Sequence, residues 1–351
     1  MRCKGIGFFG NKQYLCIKIC RMDKIIGIGN ALVDVLVQLS DDSQLAALGL
    51  PKGGMQLIGD ERQRQISSQM QTLNPEIATG GSAGNAVLAL ANLGAASGFI
   101  GRVGEDEMGD FFSQNCRETG IDARLIIGQG NTGVANTFIT PDAERTFATY
   151  LGVAAYLSAD AITPDLFRGY QMIHIEGYLV QNHALIQKIC RVAKQLGMKT
   201  SIDLASYNVV RENLSLLREL VAGYIDIVFA NEEESAAFTD GKSPEEALIE
   251  IASMAEVAVV KLGKRGASAM RGDEKAIVPG KTTGVVDTTA AGDFFAGGFL
   301  YAYAHGASLE QCLQVGSLLS QHIIQVVGTR LPAQQWSEIR LNVARILHED
   351  D

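Results

Sequence analysis

The sequence predicts a three-layer α/β fold in which helices cover both faces of a mainly parallel sheet. From Gly98 onward, short apolar runs rich in β-branched residues alternate with stretches of helical periodicity. This alternation is typical of βαβ units, in which consecutive strands run parallel because a helix connects them. The run at 225–230, which is apolar except for Asp226, has the composition of a strand that is buried on both faces.

The same alternation places five strands and three of the helices between them. Each predicted strand is a short apolar run, and each predicted helix repeats apolar residues at intervals of three and four. The strands are expected at 98–103, 172–175, 199–204, 225–230 and 257–262, and the helices at 184–196, 214–221 and 244–254.

Two regions, 33–58 and 125–150, interrupt the alternation. Both are strand-like, and neither contains a crossover helix of ordinary length. The residues at 140–144, Thr-Pro-Asp-Ala-Glu, have the composition of a hairpin turn. We therefore expect these regions to form a small second sheet beside the main one.

The composition is that of one large domain. The chain has 351 residues, of which 47% are hydrophobic, and it carries a formal net charge of −9. This length allows one large core with a small appended unit. The acidic balance argues against a surface that binds nucleic acid or an anionic membrane, and no apolar run approaches the roughly 20 residues that a transmembrane helix needs.

The six cysteines show neither CxxC nor zinc-site spacing, so we expect reduced, mostly buried thiols in a cytoplasmic protein. The first 21 residues differ from the rest of the chain, because they contain five basic residues and no acidic one. We expect residues 1–21 to be a disordered extension or an over-extended translation start, and the folded domain to span 22–351.

The segment from Asp287 to Asp293, Asp-Thr-Thr-Ala-Ala-Gly-Asp, leads directly into an apolar run of helical periodicity at 294–303. A helix N-terminus presents unpaired backbone N–H groups and the positive end of the helix dipole, and both favour an anion such as phosphate. A carboxylate in the same turn could take the proton of a hydroxyl group that attacks the phosphate. Alternatively, the acid could simply cap the helix.

A second glycine-rich segment, Ala78-Thr-Gly-Gly-Ser-Ala-Gly-Asn85, precedes a helical run at 86–93. The two segments, in this order along the chain, resemble the ribokinase-like (PfkB-type) family of carbohydrate kinases. Within that family, the residues at 29–34, 144–152 and 176–179 look most like the adenosine-kinase-like branch. The resemblance runs from about residue 22 to residue 336 and implies a ribokinase-like fold, with the small sheet as a lid over the acceptor site.

The resemblance implies phosphoryl transfer from ATP, with Mg²⁺, to the primary hydroxyl of a nucleoside or sugar, and adenosine is the first candidate. Asp293 would be the general base, while the N–H groups of Ala291, Gly292 and Asp293 would hold the transferring phosphoryl group. A sugar kinase for ribose, fructose or ketodeoxygluconate is the alternative. A dinucleotide-dependent oxidoreductase is disfavoured, because the loop at 80–85 lacks the G-x-G-x-x-G spacing.

One residue of the turn departs from the family pattern, since Ala290 stands where the family has glycine. If this position requires a positive φ, the methyl group costs about 1 kcal/mol and could narrow the anion site. The sequence therefore leaves open a catalytically weakened relative that binds a nucleoside or sugar.

An acceptor site is also implied by the resemblance. Asp34, Asn30, Gly80, Gly81 and Asn85 match positions at which the family recognises the hydroxyl groups of its substrate. Asp34 could instead be a solvated loop acid, and the two glycines could mark an ordinary turn before a helix.

The lid contributes three further candidates. Arg145 occupies the position at which the family brings a cation near the donor phosphates, although it could also be a solvated surface arginine. Phe138 and Phe147 could stack on a base or fill the core of the lid. We also expect the lid to provide the contact of a homodimer.

For the phosphate donor, Asn231 and Glu234 resemble the family's Asn-x-x-Glu element, which organises Mg²⁺ and the donor phosphates, often through water. The alternative is an acidic first helical turn that the helix dipole stabilises. Lys261, Gly263 and Gly266 resemble the nucleotide loop, although Lys261 stands where the family has threonine.

The resemblance also implies a binding site for a monovalent cation. Asp287 and Thr289, together with the loop at 326–330, resemble the region that binds an ion such as K⁺ in some relatives.

Overall fold

The computed structural model describes residues 24–142, 144–281 and 284–348. The strands in these residues are β1 (Lys24–Ile28), β2 (Leu32–Gln38), β3 (Met55–Leu57), β4 (Glu76–Gly80), β5 (Ala96–Gly104), β6 (Asp122–Gly128), β7 (Gly133–Ile139), β8 (Arg145–Tyr150), β9 (Met172–Glu176), β10 (Lys199–Asp203), β11 (Ile227–Asn231), β12 (Val257–Lys261), β13 (Ala267–Arg271) and β14 (Glu274–Val278).

The α-helices in the same residues are α1 (Asp42–Ala47), α2 (Asp60–Met70), α3 (Ser82–Leu93), α4 (Glu107–Glu118), α5 (His183–Gln195), α6 (Tyr207–Glu212), α7 (Leu214–Tyr224), α8 (Glu232–Phe238), α9 (Pro244–Ala252), α10 (Ala291–Ala304), α11 (Leu309–Ile323) and α12 (Ala333–His348).

The large sheet has nine strands in the order β14-β13-β12-β11-β10-β9-β1-β5-β6. The strands from β12 to β6 are parallel, whereas β13 and β14 add an antiparallel hairpin at one edge. The five strands predicted for this sheet and the three predicted helices are confirmed, with bounds that shift by one to three residues. The predicted α/β architecture is therefore confirmed.

Side chains of the parallel strands alternate between two apolar cores, one on each face of the sheet. In β11, Ile227 and Phe229 join the core beneath α3, α10, α11 and α12. Val228 and Ala230 join the core beneath α5, α7, α8 and α9. The residues at 227–230 are all apolar because both faces of β11 are buried.

The second sheet has five strands in the order β3-β8-β7-β2-β4, and it is separate from the large one. Two details differ from the prediction. β6 pairs in parallel with β5 at the edge of the large sheet, so the predicted region at 125–150 enters the second sheet only from β7 onward. β4 is a strand that we had assigned to the glycine-rich loop, and it pairs with β2.

The two aromatic candidates of the second sheet differ in burial. Phe138 is fully buried and belongs to an apolar core, so its side chain fills space and is not free to stack on a base. Phe147 is half-buried.

Polar residues end four neighbouring parallel strands. β9 ends at Glu176, β10 at Asp203, β11 at Asn231 and β12 at Lys261. The carboxyl ends of parallel strands lie at one edge of a sheet, where α/β proteins bind their ligands. The candidate site is built at this edge.

No helix in the described ranges combines the length and apolar content needed to cross a membrane. Cys116, Cys190 and Cys312 are buried free thiols, and burial raises the pKa of each to about 12. The expectation for residues 1–21 lies outside the described residues.

Candidate active site

Asp293 lies in the first turn of α10 and is held by the N-terminus of α3. Its carboxylate accepts hydrogen bonds from Ser82 Oγ at 2.7 Å and from Asn85 Nδ2 at 2.9 Å. The residue at the cap position of α10 is Ala290, which forms no side-chain cap bond. Asp293 therefore does not act as the helix cap, and its carboxylate is oriented by another helix.

Burial raises the pKa of Asp293 to about 6, although the hydrogen bonds from Asn85 and Ser82 oppose the shift. A carboxylate of this basicity is ionised at neutral pH and still accepts a proton more readily than an exposed aspartate. Both properties suit a general base.

The turn before α10 has the backbone conformation that glycine favours. Ala290 has φ 58° and ψ 6°, in the left-handed region, and its methyl group belongs to the apolar core. The Ala291 N–H donates to the carbonyl of Thr288 at 3.3 Å. It is therefore not free to bind a phosphoryl group, contrary to the prediction. The N–H groups of Gly292 and Asp293, in the first turn, are left without an intrahelical partner and can face an anion.

The acceptor side of the site is formed where β2 and β4 pair. A side chain on Gly80 would overlap the carboxylate of Asp34, and a side chain on Gly81, which has φ 86°, would overlap the carbonyl of Asn30. The two glycines therefore make room for Asp34 and Asn30, and they do more than mark an ordinary turn before a helix. Asp34 is half-buried, so it is not a solvated loop acid.

Burial raises the pKa of Asp34 to about 7, and the negative charges of Asp293 and Asp287 raise it further, against the positive charge of Arg145. These causes show that Asp34 shares one electrostatic environment with the turn at 287–293. The structure thus brings together Asp34 and Asp293, which lie more than 250 positions apart in the sequence.

Beneath the acceptor side lies a buried carboxylate to which the sequence analysis gave no role. Glu176 Oε1 accepts from Asn30 Nδ2 at 2.5 Å, and Oε2 accepts from the Ala83 N–H at 3.3 Å. Burial raises the pKa of Glu176 to about 7, although these hydrogen bonds oppose the shift.

Arg145 reaches from the second sheet to the turn before α10. Its side chain is buried, it forms an ion pair with Asp287, and it donates a hydrogen bond to Thr289 Oγ1. Asp287 also accepts from the N–H groups of Thr289 and Gly328, each at 2.6 Å. Arg145 is thus not a solvated surface arginine, and the loop at 326–330 does lie beside Asp287 as the sequence implied.

Asn231 and Glu234 form a capping box at the start of α8. Asn231 Oδ1 accepts from the Glu234 N–H at 2.9 Å, and the Glu234 oxygens accept from the Asn231 N–H at 2.8 Å and from Asn231 Nδ2 at 2.6 Å. Burial and the nearby Asp203 raise the pKa of Glu234 to about 7, while Lys261 opposes them.

Lys261 extends toward the same turn as Asp293. Its Nζ lies 2.5 Å from Asp203 Oδ2 and 3.0 Å from the point where a Cβ of Gly292 would stand. Gly263 has φ 54° and no atom near its missing side chain, whereas a side chain on Gly266 would overlap the carbonyl of Val278. The packing of the chain alone therefore requires glycine at position 266, whether or not a nucleotide binds there.

The donor set fits a polyphosphate better than a metal ion held by protein alone. Buried Lys261 and the first-turn N–H groups of α10 offer positive charge and donors beside a glycine with no side chain to obstruct an anion. Within the described ranges, no three or more His, Cys, Asp or Glu side chains are grouped to hold a metal. Both Glu234 oxygens already accept from Asn231, so Mg²⁺ would meet Glu234 through water and take its other ligands from phosphate and solvent.

Three residues of the site were missed by sequence reasoning: Ser82, Glu176 and Asp203. Glu176 and Asp203 each end an apolar strand of the parallel sheet, and an acid in that position was the available signal. Ser82 carries no comparable signal, because serine at the start of a helix is common.

Comparison with known proteins agrees with this geometry. Residues 44–336 match the model of the pfkB family of carbohydrate kinases. The structure of a probable sugar kinase from Rhizobium etli CFN 42 is 32% identical, with a TM-score of 0.82, over 92% of this chain and 98% of that one. The adenosine kinase from Sinorhizobium meliloti is also 32% identical, with a TM-score of 0.81, over 91% of this chain and 99% of that one.

A 5-dehydro-2-deoxygluconokinase from Lacticaseibacillus casei is 30% identical over 265 residues, which cover 71% of this chain and 81% of that protein. The relatives thus divide between nucleoside and sugar kinases, and the kinases of the family use ATP with Mg²⁺. The family match spans most of the chain and includes the turn that presents Asp293. The chain belongs to the pfkB family of carbohydrate kinases and is a phosphotransferase with an alcohol group as acceptor.

Proposed function

We propose that this protein transfers the γ-phosphoryl group of ATP to the primary hydroxyl of a nucleoside, with adenosine as the first candidate. The observation that carries the proposal is the position of Asp293, which Ser82 and Asn85 orient at the N-terminus of α10. A base and an anion site thereby share one helical turn. The likeness to the Sinorhizobium meliloti adenosine kinase supports adenosine as the acceptor.

The reaction follows from these positions. Asp293 accepts the proton of the acceptor hydroxyl, whose oxygen attacks the γ-phosphorus, while the bond from that phosphorus to the bridging oxygen of ADP breaks and leaves its electrons on ADP. The N–H groups of Gly292 and Asp293 stabilise the negative charge on the transferring group. When bound, Mg²⁺ would neutralise charge on the donor phosphates, and water molecules would link the ion to Glu234 and Asn231.

Asp34 gives the site its preference for a hydroxylated acceptor. Its carboxylate, placed against Gly80, can accept hydrogen bonds from two vicinal hydroxyls such as those of a ribose ring. Asn85 adds a buried Oδ1 that has no hydrogen-bond partner in the described part of the chain. This atom can accept a further hydroxyl hydrogen.

A sugar acceptor is the second candidate, since Asp34 can accept hydrogen bonds from the hydroxyl groups of a sugar as well as from those of a ribose ring. The likeness to sugar kinases from Rhizobium etli and Lacticaseibacillus casei supports the same alternative.

The catalytically weakened alternative has less support than either kinase. The methyl group of Ala290 packs in the apolar core, so it does not reduce the space in front of the first-turn N–H groups.

Two finer proposals concern ions and assembly. A monovalent cation beside Asp287 and Thr289 would make the enzyme faster in potassium than in sodium-only buffer, and equal rates would exclude it. A homodimer through the second sheet is supported by Met55 and Leu57 on edge strand β3, which are 53% and 58% exposed.

The test is ADP release from ATP and Mg²⁺ with adenosine, inosine, ribose, fructose and 2-keto-3-deoxygluconate as acceptors. Asp293→Asn should lower turnover with the accepted substrate at least about 100-fold, the usual loss when a general base is removed. The matched control is Asp41→Asn, because Asp41 is an exposed N-cap of α1 whose carboxylate accepts from the Ser43 N–H. Turnover that survives Asp293→Asn, or its absence with every acceptor, would refute the proposed function.

A further inference from the structure

Lys261 is a largely buried cation beside the turn at 287–293 that precedes and begins α10. Its side chain is 15% exposed, and Nζ lies 2.5 Å from Asp203 Oδ2, a carboxylate whose own side chain is 6% exposed. The same Nζ lies 3.0 Å from the position that a Cβ on Gly292 would occupy. The ammonium group therefore stands directly against the first turn of α10.

The strand register explains why the lysine reaches this point. Lys261 ends β12 and pairs with Asn231, which ends β11, so both side chains leave the sheet at its carboxyl edge. Asp203 ends β10, the next strand along. A lysine is long enough to cross from β12 to α10, whereas the threonine of the family pattern is not.

The charges around Lys261 favour its protonated form. Burial alone lowers the pKa of Lys261, but Asp203, Glu234 and Asp293 are all negative and their combined effect raises it. On the other side of the turn, Arg145 is already paired with Asp287. In the described residues, Lys261 is thus the cation that lies against Gly292.

We propose that Lys261 is a catalytic residue that contacts the transferring phosphoryl group and stabilises the negative charge that develops on it. The inference rests on the proposed kinase function and adds a residue to its machinery. Lys261 supplies charge and a hydrogen bond and exchanges no proton, because the acceptor proton goes to Asp293. Asp203 holds the ammonium group in place before the donor binds.

The experiment compares Lys261→Met with wild type in two measurements. Calorimetry gives the affinities for ADP and for a non-hydrolysable ATP analogue, each with Mg²⁺, and steady-state kinetics gives kcat and KM. We expect the affinity for the analogue to fall about tenfold with little change for ADP, and kcat to fall about 100-fold, as when one donor is removed from an oxyanion site. Lys261→Arg, which keeps the charge, should recover at least part of both losses.

Lys199→Met is the matched control, because Lys199 is also a lysine at the end of a strand and forms ion pairs with Asp226 and Glu256. It lies at the edge of the large sheet opposite to the candidate site. This variant should leave both affinities and kcat unchanged. Since Lys261→Met leaves Asp203 buried without its partner and could fail to fold, the double variant Lys261→Met with Asp203→Asn removes both charges and should show the same selective loss.

Equal losses for ADP and the analogue, or an unchanged kcat in the folded variant, would overturn the role of Lys261. The failure of the proposed function has a different signature. In that case the wild-type protein would bind the analogue and yet phosphorylate no acceptor. The affinities of Lys261→Met for ADP and for the analogue would still show whether Lys261 contacts the terminal phosphate.

Discussion

At the scale of single residues, the site concentrates carboxylates whose ionisation opposes folding. Burial raises the pKa of Asp34 to about 7, from an ordinary value of 3.8. A carboxyl with a raised pKa in the folded state stabilises the fold below its unfolded pKa, and that stability is lost as the pH rises toward its folded pKa. Ionisation of these carboxylates, which the proposed chemistry requires of Asp293, therefore costs stability, a balance common in active sites.

This reasoning predicts that Asp34→Asn stabilises the protein while it removes acceptor binding. The expected gain in the free energy of unfolding is on the order of 2 kcal/mol at pH 8, since one pKa unit corresponds to about 1.4 kcal/mol and the side chain is only half-buried. The gain should shrink toward pH 5, where the folded wild-type Asp34 is already protonated. Urea unfolding at the two pH values measures it, and an equal gain at both would show that the ionisation of Asp34 is not its cause.

Ala290 yields a second residue-scale prediction. Replacing Ala290 with glycine relieves the strain of its positive φ, but it also removes the packing of the methyl group and gives the unfolded chain more freedom. These effects oppose each other, so Ala290→Gly should change the free energy of unfolding by less than about 1 kcal/mol. Turnover should stay within about threefold, because the methyl group lies in the core and stabilisation of the phosphoryl group depends on the N–H donors. By contrast, Ala290→Val places a β-branched side chain at positive φ and should cost about 2 kcal/mol or more.

The comparison for Ala290 is Ala205, which has φ 70° outside this turn. Ala205→Gly should show a similarly small change in stability in urea unfolding. A large rise in turnover for Ala290→Gly alone would mean that the methyl group does obstruct the anion site.

At the scale of secondary-structure elements, the distance between α3 and α10 sets the position of the proposed base, Asp293. α3 carries Ser82 and Asn85, and α10 carries Asp293. One turn further along α10, a Cβ on Gly297 would lie 2.6 Å from the carbonyl of Ala86 and 2.8 Å from the Cβ of Ala89. The absent side chain thus allows the two helices to approach closely beneath Ser82, Asn85 and Asp293.

Gly297→Ala should push these helices apart. We expect a loss of about 2 kcal/mol in the free energy of unfolding, as in other overpacked cores, and a loss of at least about tenfold in kcat, because small displacements of catalytic groups are costly. Thermal unfolding and steady-state kinetics measure the two effects. In contrast, Gly223→Ala on α7 meets no atom within 4 Å and should gain up to about 1 kcal/mol from helix propensity with no change in kcat.

The elements also show what sequence could and could not predict. The strand at 225–230 was identifiable because both of its faces are buried, and the helix after 287–293 because its polar turn meets an apolar run. β6 was assigned to the wrong sheet because an edge strand with mixed burial carries no signal for its partner, which lies elsewhere in the chain. Glu176 and Asp203 were missed for a related reason, since only the order of the parallel strands brings them to Asp293.

At the scale of the whole molecule, the two sheets meet at the turn 287–293, which contains the proposed base. Arg145 extends from β8 in the second sheet to Asp287 and Thr289 in that turn. Nearby, Thr329 Oγ1 donates to the carbonyl of Thr79 in β4 at 3.2 Å. The turn at 287–293 and the loop at 326–330 therefore connect the second sheet to the large one through buried polar contacts.

Arg145→Met should weaken this connection. Its side chain and that of Asp287 are 9% and 0% exposed, so removal of the cation leaves a buried carboxylate with only its two N–H donors. We expect a loss of about 3 kcal/mol in the free energy of unfolding, as for other buried ion pairs that lose one partner. Amide hydrogen exchange should accelerate both in β7 and β8 and in residues 287–293, although these segments are far apart in sequence.

The control is Arg271→Met, which breaks a more exposed ion pair with Glu274 at the edge of the large sheet and should cost less than about 1 kcal/mol. Its faster exchange should stay in β13 and β14. If Arg145→Met accelerates exchange in β8 alone, the ion pair stabilises the second sheet locally and does not couple the two sheets. Faster exchange in both places would mean that the position of the second sheet and the shape of the anion turn depend on one buried ion pair, so a substrate that orders one also orders the other.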